Sequence, residues 1–409
     1  MAKAKAEISY PSVGTRDELI ARAKALQPTL RERAARCEEL RTIPPETMRD
    51  FAEAGCHRLL QPARFGGAEA DFSAIADIQS TIAAGCGSSG WVHGQNVIHN
   101  FMLAAWPKEA QDEVWGPNPR AFLSGILIAG LGRATKVKGG WKLSGRWPFV
   151  SGVSVCDWCL FSALADTSDT SDTPDPTVGK AIWQFIMPKG SFEIIDTWRA
   201  IGLRGTCSHD VHVDNAFIPD RRALHIGGSK GGASPGTAVN QGAIYRAPSY
   251  ALFSIVQGST SLGIAQGAFD AYLAEARKRV SLVSGKAVAD YGTVHLKLGE
   301  AAASLDGARG ILGNAGGLAT VIAEAGRVPT MEERTRLRRD GAFAGRLCMR
   351  ALDLVLELAG GNALYDANPI SRGYRDLRSA NVHISQNWDV NASNWGRVAL
   401  GLPSTDPTL

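Results

Sequence analysis

From residue 16 to about residue 106, apolar residues recur at three- and four-residue steps with charged residues between them. This spacing predicts amphipathic helices. Thr15 followed by Glu18 has the pattern of a capping box, which predicts that the first helix begins there. The stretch PPETMRDFAEAG predicts a second helix that starts at its prolines and ends at Gly55. The chain is therefore expected to open with an α-helical domain over residues 1–120.

The spacing of apolar residues changes near residue 120 from a helical to a strand-like pattern. Short runs rich in β-branched and aromatic residues follow, such as AFLSGILIAG, DWCLFSALA and KAIWQFIMPKG, separated by glycine, proline and aspartate. These runs predict an all-β domain, a barrel or a sandwich, over residues 121–228. The polar run at 166–179 is predicted to be a solvated loop between strands. The glycine-rich run at 227–243 is predicted to be a flexible linker or a mobile loop.

Helical periodicity returns near Tyr250 and continues through three long amphipathic segments. Such segments suit an antiparallel bundle, so a C-terminal four-helix bundle is expected over residues 229–409. The order of helices, a β domain and a second set of helices predicts an α+β fold class. The sequence contains no internal repeat and no sustained heptad pattern.

The composition is ordinary for a globular protein, with 44% apolar and 21% charged residues among 409. The net charge is only +4 and the basic residues are scattered, which argues against nucleic acid as a partner. Seven cysteines at irregular spacings favour a reducing cytoplasm. The N-terminus lacks an apolar core and no stretch of about 18 apolar residues occurs, so neither a signal peptide nor a membrane span is expected.

Several common chemistries lack support in the sequence. No phosphate-binding loop, no G-x-G-x-x-G between a strand and a helix, no nucleophile elbow and no H-E-x-x-H occurs. Cys156 and Cys159 form a lone C-x-x-C, which we interpret as two half-buried strand cysteines. His93 and His99 are six residues apart, a poor spacing for a shared metal on one helix. No metal site is therefore predicted.

Two short segments of the β region are candidate parts of a site. In GRWPFVSG, Trp147 and Phe149 would point to the same side of a strand that ends at Ser151. In GLRGTCSHDVHVDNAFIP, Gly205 and Thr206 could form a tight corner whose N–H groups and hydroxyls face a ligand. Each segment also has a purely structural interpretation, as a strand end with core aromatics or as a β-turn.

A third candidate segment, YRDLRSANVHISQNWDV, lies near the end of the sequence. If it is one helix, Asp376, His383 and Asn387 share a face of that helix. An imidazole held there by polar neighbours could act as a general base. The alternative is a histidine at a packing interface whose ring nitrogens are hydrogen-bonded and have no catalytic role.

Taken in order, these segments resemble the acyl-CoA dehydrogenase fold over nearly the whole chain, from about residue 20 to residue 400. The closer similarity is to the flavin-dependent two-component monooxygenases of the 4-hydroxyphenylacetate hydroxylase oxygenase type. The stretches that carry it are GWVHGQNVIHN, LSGRWPFVSG, GGNALYDANPISRGYRDL and NVHISQNWD.

The resemblance implies roles for particular residues. Around the flavin it implies contacts from the W-x-F-x-S-G corner and from the loop after it: Trp147, Phe149, Ser151, Thr206 and Ser208. A neighbouring subunit's flavin phosphate would be bound by Arg279, and a close backbone turn would be formed by Gly360 and Gly361. The catalytic positions that it implies are His383, Ser151, His99 and Ser124.

The resemblance also implies a reaction. Reduced FMN (or FAD), supplied by a separate NAD(P)H-dependent flavin reductase, would react with molecular oxygen to form a C4a-hydroperoxyflavin that oxygenates a small aromatic or heteroaromatic substrate. A homotetramer is expected. An acyl-CoA dehydrogenase would instead need a carboxylate base, and Asp366 in GGNALYDANP lies in the wrong context for one. A non-catalytic helical scaffold on this fold is the third alternative.

Overall fold

Helices form the first and last parts of the chain, and a β-sheet forms the middle. The structure is a computed structural model that describes residues 10–165, 180–281 and 284–409. The loop predicted at 166–179 and the first nine residues lie outside the described residues. The predicted α+β class, with its order of helices, sheet and helices, is confirmed.

From residue 10 onward, where the description of the chain begins, five α-helices precede the sheet: α1 Arg16–Leu40, α2 Pro45–Ala54, α3 Ala74–Gly85, α4 Gly87–Leu103 and α5 Lys108–Trp115. The capping box predicted at Thr15 and Glu18 is present at the start of α1. Helix α2 ends at Gly55, whose φ of +70° is left-handed, as predicted from its glycine. Every residue of α4 is buried, so this helix runs through the interior between the other elements.

Eight strands form one sheet within the described residues: β1 Leu123–Ile126, β2 Gly132–Val137, β3 Gly140–Val150, β4 Trp158–Ala165, β5 Ala181–Pro188, β6 Glu193–Ile195, β7 His209–Pro219 and β8 Ala223–His225. Their order is β6-β7-β3-β2-β4-β5-β8, and β1 pairs in parallel with β4. The pairing of β3 with β7 shifts register between Trp147 and Val150, which marks a bulge near the end of β3.

The last part of the chain contains α6 Ser249–Ala276, α7 Gly292–Glu324, α8 Met331–Ala359, α9 Pro369–Asn381 and α10 Trp388–Ala399. Helix α6 is the central one, since most of its length is buried between α3 and α8. A Cβ at Gly341 of α8 would lie only 2.3 Å from the carbonyl oxygen of Ser254, so α6 and α8 approach at backbone distance.

The glycine-rich segment at 227–243 is packed, contrary to the prediction of a flexible linker. It forms three short 3₁₀ turns. The Asn240 side chain donates to the Ala104 carbonyl at 2.8 Å, and the Ser229 hydroxyl donates to Gln184 at 2.7 Å. Its glycines therefore allow close backbone approach rather than mobility: a Cβ at Gly236 would lie 1.8 Å from the Ala104 oxygen.

No helix within the described ranges is both long enough and apolar enough to span a membrane.

Candidate active site

A cavity of about 660 Å³ lies between α4, the ends of β1 and β3, α6, and the segments around α9 and α10. Its volume falls in the range typical of sites for organic ligands. Most of the side chains in its walls are apolar, and the polar ones are concentrated in a few places. The cavity brings together six of the predicted site residues: His99, Phe149, Ser151, Thr206, Ser208 and His383.

Helix α4 contributes one face to the cavity, formed by Trp91, Gln95 and His99. These residues are four apart, so they lie one above another on the helix. The Nδ1–H of His99 donates to the Gln95 carbonyl at 2.7 Å, which leaves Nε2 as the acceptor nitrogen of a neutral ring. Burial lowers the pKa of His99 to about 4, so the ring is neutral at pH 7.

The free Nε2 of His99 is buried and has no hydrogen-bond partner among the described residues. A Cβ at position 125 would lie 2.5 Å from this nitrogen, so Gly125 keeps the space in front of it open. Because both residues line the cavity, a ligand hydroxyl in the cavity has a ready acceptor here. The histidine thus fits a hydrogen-bond acceptor for a substrate O–H group.

The corner at the end of β3 separates two aromatic rings that were expected on one face. Phe149 has a left-handed φ of +64° and its ring borders the cavity. Trp147 is fully buried in the core of the β-sheet, where its indole N–H donates to the Ser162 carbonyl at 3.1 Å. The expectation of a shared face is wrong, because the bulge after Trp147 breaks the two-residue alternation of the strand.

Three hydroxyl groups form a chain of hydrogen bonds along the cavity wall. Ser151 and Ser208 are 2.8 Å apart, and Ser208 and Thr206 are 2.7 Å apart. At one end the indole N–H of Trp91 donates to the Ser151 oxygen at 2.9 Å, and at the other Thr206 donates to the Leu203 carbonyl at 2.9 Å.

The two ends of this hydroxyl chain set its direction. An indole N–H can only donate and a carbonyl can only accept. Thr206 uses its single proton on the Leu203 carbonyl, so Ser208 must donate to Thr206, and Ser151 must donate to Ser208. The Ser151 oxygen then accepts from Trp91 and keeps one lone pair unused. Ser151 therefore presents an acceptor, and no donor, to the cavity.

The loop from Leu203 to Ser208 carries part of this chain in a strained conformation. Leu203 and Cys207 have φ values of +50° and +41°, which are unusual for residues with side chains. The Leu203 N–H donates to a carboxylate oxygen of Asp376 at 2.6 Å, and the Gly205 N–H donates to Ser88 at 3.1 Å. Non-glycine residues in this region cost about 1–3 kcal/mol each, so these contacts hold the loop in place.

Asp376, His383 and Asn387 do not share a helix face, which corrects that prediction. Helix α9 ends at Asn381, His383 lies in the following turn, and Asn387 caps α10 by accepting from the Val390 N–H. Asp376 is buried beneath the loop that starts at Leu203. The break follows from the capping pattern of Asn387, which begins a new helix.

His383 borders the cavity from this turn, edge-on to Trp91 with ring centroids 5.4 Å apart. Its Nδ1 accepts from the hydroxyl and the N–H of Ser385, at 2.8 Å and 3.2 Å. Burial and the charge of Arg338 lower the pKa of His383 to about 4. The neutral ring then carries its proton on Nε2, so His383 is a hydrogen-bond donor where His99 is an acceptor.

Ser124 supports the site without lining the cavity. Its hydroxyl is buried and donates to the Ser151 carbonyl at 2.5 Å. It therefore helps to fix the backbone of the Ser151 corner, together with the Gly152 N–H that donates to the Thr206 carbonyl at 2.8 Å.

Arg279, Gly360 and Gly361 lie together at the end of α8, apart from the cavity walls. The Arg279 guanidinium donates to the Ala359 carbonyl at 2.8 Å. Gly360 has φ +64° and ψ −151°, a conformation that is essentially restricted to glycine. The structure thus groups these three predicted residues with one another and not with Ser151.

The predicted cysteine pair is more deeply buried than expected. Cys156 and Cys159 are both buried, and burial raises the pKa of the Cys156 thiol to about 12. Cys159 lies in β4, whereas Cys156 precedes the strand. Among the described residues, no group of three or more histidine, cysteine or acidic side chains is arranged to hold a metal ion.

Sequence reasoning missed several residues of the cavity wall: Trp91, Trp198, Tyr250, Phe253, Arg338 and Asp406. Trp91 could have been predicted, since it belongs to the same stretch, GWVHGQNVIHN, as His99. Arg338 lies in the run MEERTRLRRD, which has the composition of a solvated helix face, so nothing local marked it. Asp366, by contrast, is 82% exposed and outside the cavity walls.

Two family models and several known proteins are similar to this chain. Residues 20–119 match the family described as acyl-CoA dehydrogenase, N-terminal domain, and residues 255–388 match acyl-CoA dehydrogenase, C-terminal domain. The flavin-dependent monooxygenase oxygenase subunit HsaA of Rhodococcus jostii strain RHA1 is 32% identical over 387 residues, which covers 94% of this chain and 99% of the relative.

Two further proteins extend this comparison. The oxygenase component of the FADH(2)-dependent resorcinol hydroxylase of Rhizobium sp. strain MTP-10005 is 32% identical over 394 residues, covering 94% of each chain. The solved structure of XiaF from Streptomyces sp., in complex with FADH2 and glycerol, superposes with a TM-score of 0.86 at 27% identity, over 96% of this chain and 98% of XiaF.

The Asp376→Asn variant tests how the strained loop is held. Burial raises the pKa of Asp376 to about 7, above the value of about 3.9 in an unfolded chain. The folded state therefore binds the extra proton between about pH 4 and pH 7, and the contribution of Asp376 to stability falls as pH rises through this window. Asparagine keeps the acceptor for the Leu203 N–H but does not titrate.

Relative to the wild type, Asp376→Asn should thus gain stability from about pH 4 to pH 7, by at most about 1.4 kcal/mol per pH unit, and the difference should level off above about pH 7. Melting temperatures measured in parallel at each pH report the difference. Asp376→Ala, which loses the acceptor, should be less stable than Asp376→Asn at every pH. A constant difference between Asp376→Asn and wild type across this range would contradict the prediction.

Proposed function

The chain belongs to the oxygenase components of the flavin-dependent monooxygenases, which share the acyl-CoA dehydrogenase fold, and on that premise we propose that its cavity binds a reduced flavin beside an aromatic substrate. The observation that carries the proposal is the fixed direction of the hydroxyl chain that ends at Ser151. This direction leaves the Ser151 oxygen as a hydrogen-bond acceptor in a cavity whose two histidines are neutral.

Reduced flavin fits this acceptor better than oxidised flavin does. The reduced ring carries an N–H at N5, whereas the oxidised ring has only a lone pair there. The free lone pair of Ser151 can accept from an N–H group, but its proton is already committed to Ser208. The hydroxyls of Thr206 and Ser208 hold Ser151 in this state. The cavity wall thus selects the redox form that a monooxygenase uses.

Reduced flavin, when bound, supplies the electrons that activate molecular oxygen, one atom of which is transferred to the substrate. The residues of this chain orient the ring and exclude water from it. Trp91, Phe149 and Trp198 form apolar walls beside the Ser151 corner. We propose FAD as the flavin, since the resorcinol hydroxylase and XiaF are both described with FADH2. FMN, named first among the flavins expected from the resemblance, is the alternative.

The substrate is proposed to lie between the two histidines. His99 offers a lone pair on Nε2 and accepts the hydrogen bond of a substrate hydroxyl. His383 offers an N–H on Nε2 and donates to a second oxygen, of the substrate or of the flavin. An aromatic hydroxyl made more electron-rich by His99 is the better acceptor of an oxygen atom. The two neutral imidazoles thus have complementary roles.

A dehydrogenase is the weaker candidate because it needs a free carboxylate next to the substrate. Among the described residues that line the cavity, Asp406 is the only carboxylate, and it is paired with Arg338 at 3.1 Å. Asp366 is exposed to solvent. The described residues of the cavity wall therefore offer no free base of the kind that the dehydrogenases of this fold use.

A separate NAD(P)H-dependent flavin reductase is proposed as the partner that supplies the reduced flavin. The relatives described as oxygenase subunits or components support this division of labour. A homotetramer is also proposed. Helices and turns of the last part of the chain expose large apolar residues, among them Leu296, Val321, Leu364, Tyr365 and Val382. Such surfaces are typical of interfaces between subunits.

Ser151→Ala tests the role of the hydroxyl chain. Loss of the acceptor removes a hydrogen bond worth about 0.5–1.5 kcal/mol, so the yield of oxygenated product per reduced flavin should fall several-fold while hydrogen peroxide rises. Both products are counted in single turnovers with a phenol that the wild type oxidises. Ser229→Ala is the matched control, because it removes a buried hydroxyl that lies outside the cavity walls. Equal yields in the two variants would refute the role.

Variants of the two histidines separate their roles. His99→Ala should lower the rate of oxygenation by about a hundred- to ten-thousand-fold, because it loses the acceptor for the substrate proton. This loss should shrink as pH approaches about 10, where a phenol ionises unaided. His383→Ala should abolish coupled product formation at all pH values and spare flavin binding.

His212→Ala, which changes an exposed histidine on β7, is the control and should behave like the wild type. A His99→Ala rate that does not respond to pH would mean that His99 is not the acceptor. Wild-type coupling in His383→Ala would show that His383 is only structural.

Arg279→Ala tests the proposed contact of this residue with a flavin phosphate across a subunit interface. A charged donor to a phosphate is lost, so affinity for reduced flavin should fall about tenfold or more, with the tetramer intact. Equilibrium dialysis gives the affinity, and light scattering gives the mass. A monomer at micromolar concentration, or unchanged affinity, would contradict the prediction.

A further inference from the structure

The two ends of the cavity differ in electrostatic character. The end at Ser151 contains neutral hydroxyls. The other end, formed by α8 and the segment after α10, contains Arg338 and Asp406. Among the lining residues within the described ranges, these two are the only side chains that are charged at neutral pH, since burial keeps His99 and His383 neutral.

Arg338 is a buried cation whose side chain is only 7% exposed. One terminal nitrogen donates to the Tyr250 carbonyl at 3.2 Å and the other donates to the Asp406 carboxylate at 3.1 Å. Its Nε–H is buried and has no hydrogen-bond partner in the described part of the chain. A buried guanidinium strongly favours an anion next to it, and here that anion comes from the protein itself.

Asp406 is held in place by its own segment. The side-chain oxygen of Asn394 on α10 accepts from the Thr405 N–H at 3.0 Å, which anchors the backbone just before Asp406. The second carboxylate oxygen of Asp406 accepts from the Thr408 N–H at 2.9 Å. One oxygen thus pairs with Arg338 while the other fixes the turn. The carboxylate is positioned rather than free to leave.

We propose that Asp406 determines substrate specificity by neutralising Arg338, so that the cavity accepts aromatic compounds with no charged group at this end and discriminates against aromatic carboxylates. The inference rests on the proposed function, which places an aromatic substrate in this cavity. A substrate carboxylate at this end would approach the Asp406 carboxylate, and like charges in a buried site repel strongly. The apolar ring of Phe253 and the neutral Tyr250 then favour an uncharged ring.

Asp406→Asn reverses this preference without a large change in shape. Asparagine has nearly the shape of aspartate and keeps one acceptor oxygen, so it retains the hydrogen bond from either Arg338 or the Thr408 N–H, and the positive charge of Arg338 is no longer balanced. The probes are 2-naphthol and 6-hydroxy-2-naphthoate, which differ by one carboxylate. Isothermal titration calorimetry on the full-length protein, without flavin, measures the ratio of their dissociation constants.

The wild type is expected to bind 2-naphthol more tightly, and Asp406→Asn should shift the ratio toward the carboxylate by about tenfold or more. The double variant Arg338→Gln/Asp406→Asn, which carries neither charge, should return the ratio toward that of the wild type. Asp366→Asn is the matched control, because it removes an exposed carboxylate that lies 4.0 Å from Arg375 and outside the cavity. Its ratio should not change.

If Asp406→Asn does not fold, Arg338→Gln provides the reciprocal test. It leaves the Asp406 carboxylate unbalanced, so the carboxylate probe should bind more weakly than to the wild type. A ratio that is the same in the folded charge variants and in the wild type, with both probes bound, would overturn the inference and leave the monooxygenase function standing. Failure of the wild type to bind 2-naphthol would overturn the assignment of the cavity to aromatic substrates, and the inference with it.

Discussion

The hydrogen bond between the Asp376 carboxylate and the Leu203 N–H is the contact on which the geometry of the site depends. It holds Leu203 in a left-handed conformation, and the Leu203 carbonyl then accepts from the Thr206 hydroxyl, the Thr206 N–H and the indole of Trp198. Because that carbonyl terminates the hydroxyl chain, it decides that Ser151 faces the cavity as an acceptor. A buried carboxylate on α9 thus sets the hydrogen-bonding character of a serine on β3.

The second constraint on this cavity is that its two histidines are neutral. Large apolar side chains form much of the cavity wall, and next to them a charged imidazole is unfavourable, which lowers the pKa values of both histidines. Their remaining partners then decide which nitrogen carries the proton. One ring is bonded to a carbonyl and the other to a serine, so two residues of the same type present opposite functions to the cavity.

Close packing of the helices fixes the positions of these side chains relative to one another. Helix α4 is buried along its whole length and carries Trp91 and His99 at opposite ends of one face. Helices α6 and α8 approach at backbone distance through Gly341, which places Tyr250 and Phe253 of α6 beside Arg338 of α8. A densely packed interior transmits small shifts, so the strained loop and the charged pair are both supported by elements that cannot easily move.

Features that depend on neighbours a few residues apart could be predicted from the sequence. These include the capping box at Thr15, the end of α2 at Gly55 and the order of helices and strands. The roles expected of His99, Ser151 and His383 came from the family resemblance instead. Turn, cap and periodicity signals are local, so a single sequence contains them. The α+β class follows from their order.

The orientation of side chains was decided by the tertiary structure. A bulge against β7 turned Trp147 into the core and left Phe149 at the cavity, and a new cap at Asn387 moved His383 from a helix to a turn. Arg338, in a run that suggests a solvated face, is buried against Asp406, 68 residues further along the chain. Such placements depend on contacts between residues distant in sequence, and no local pattern encodes them.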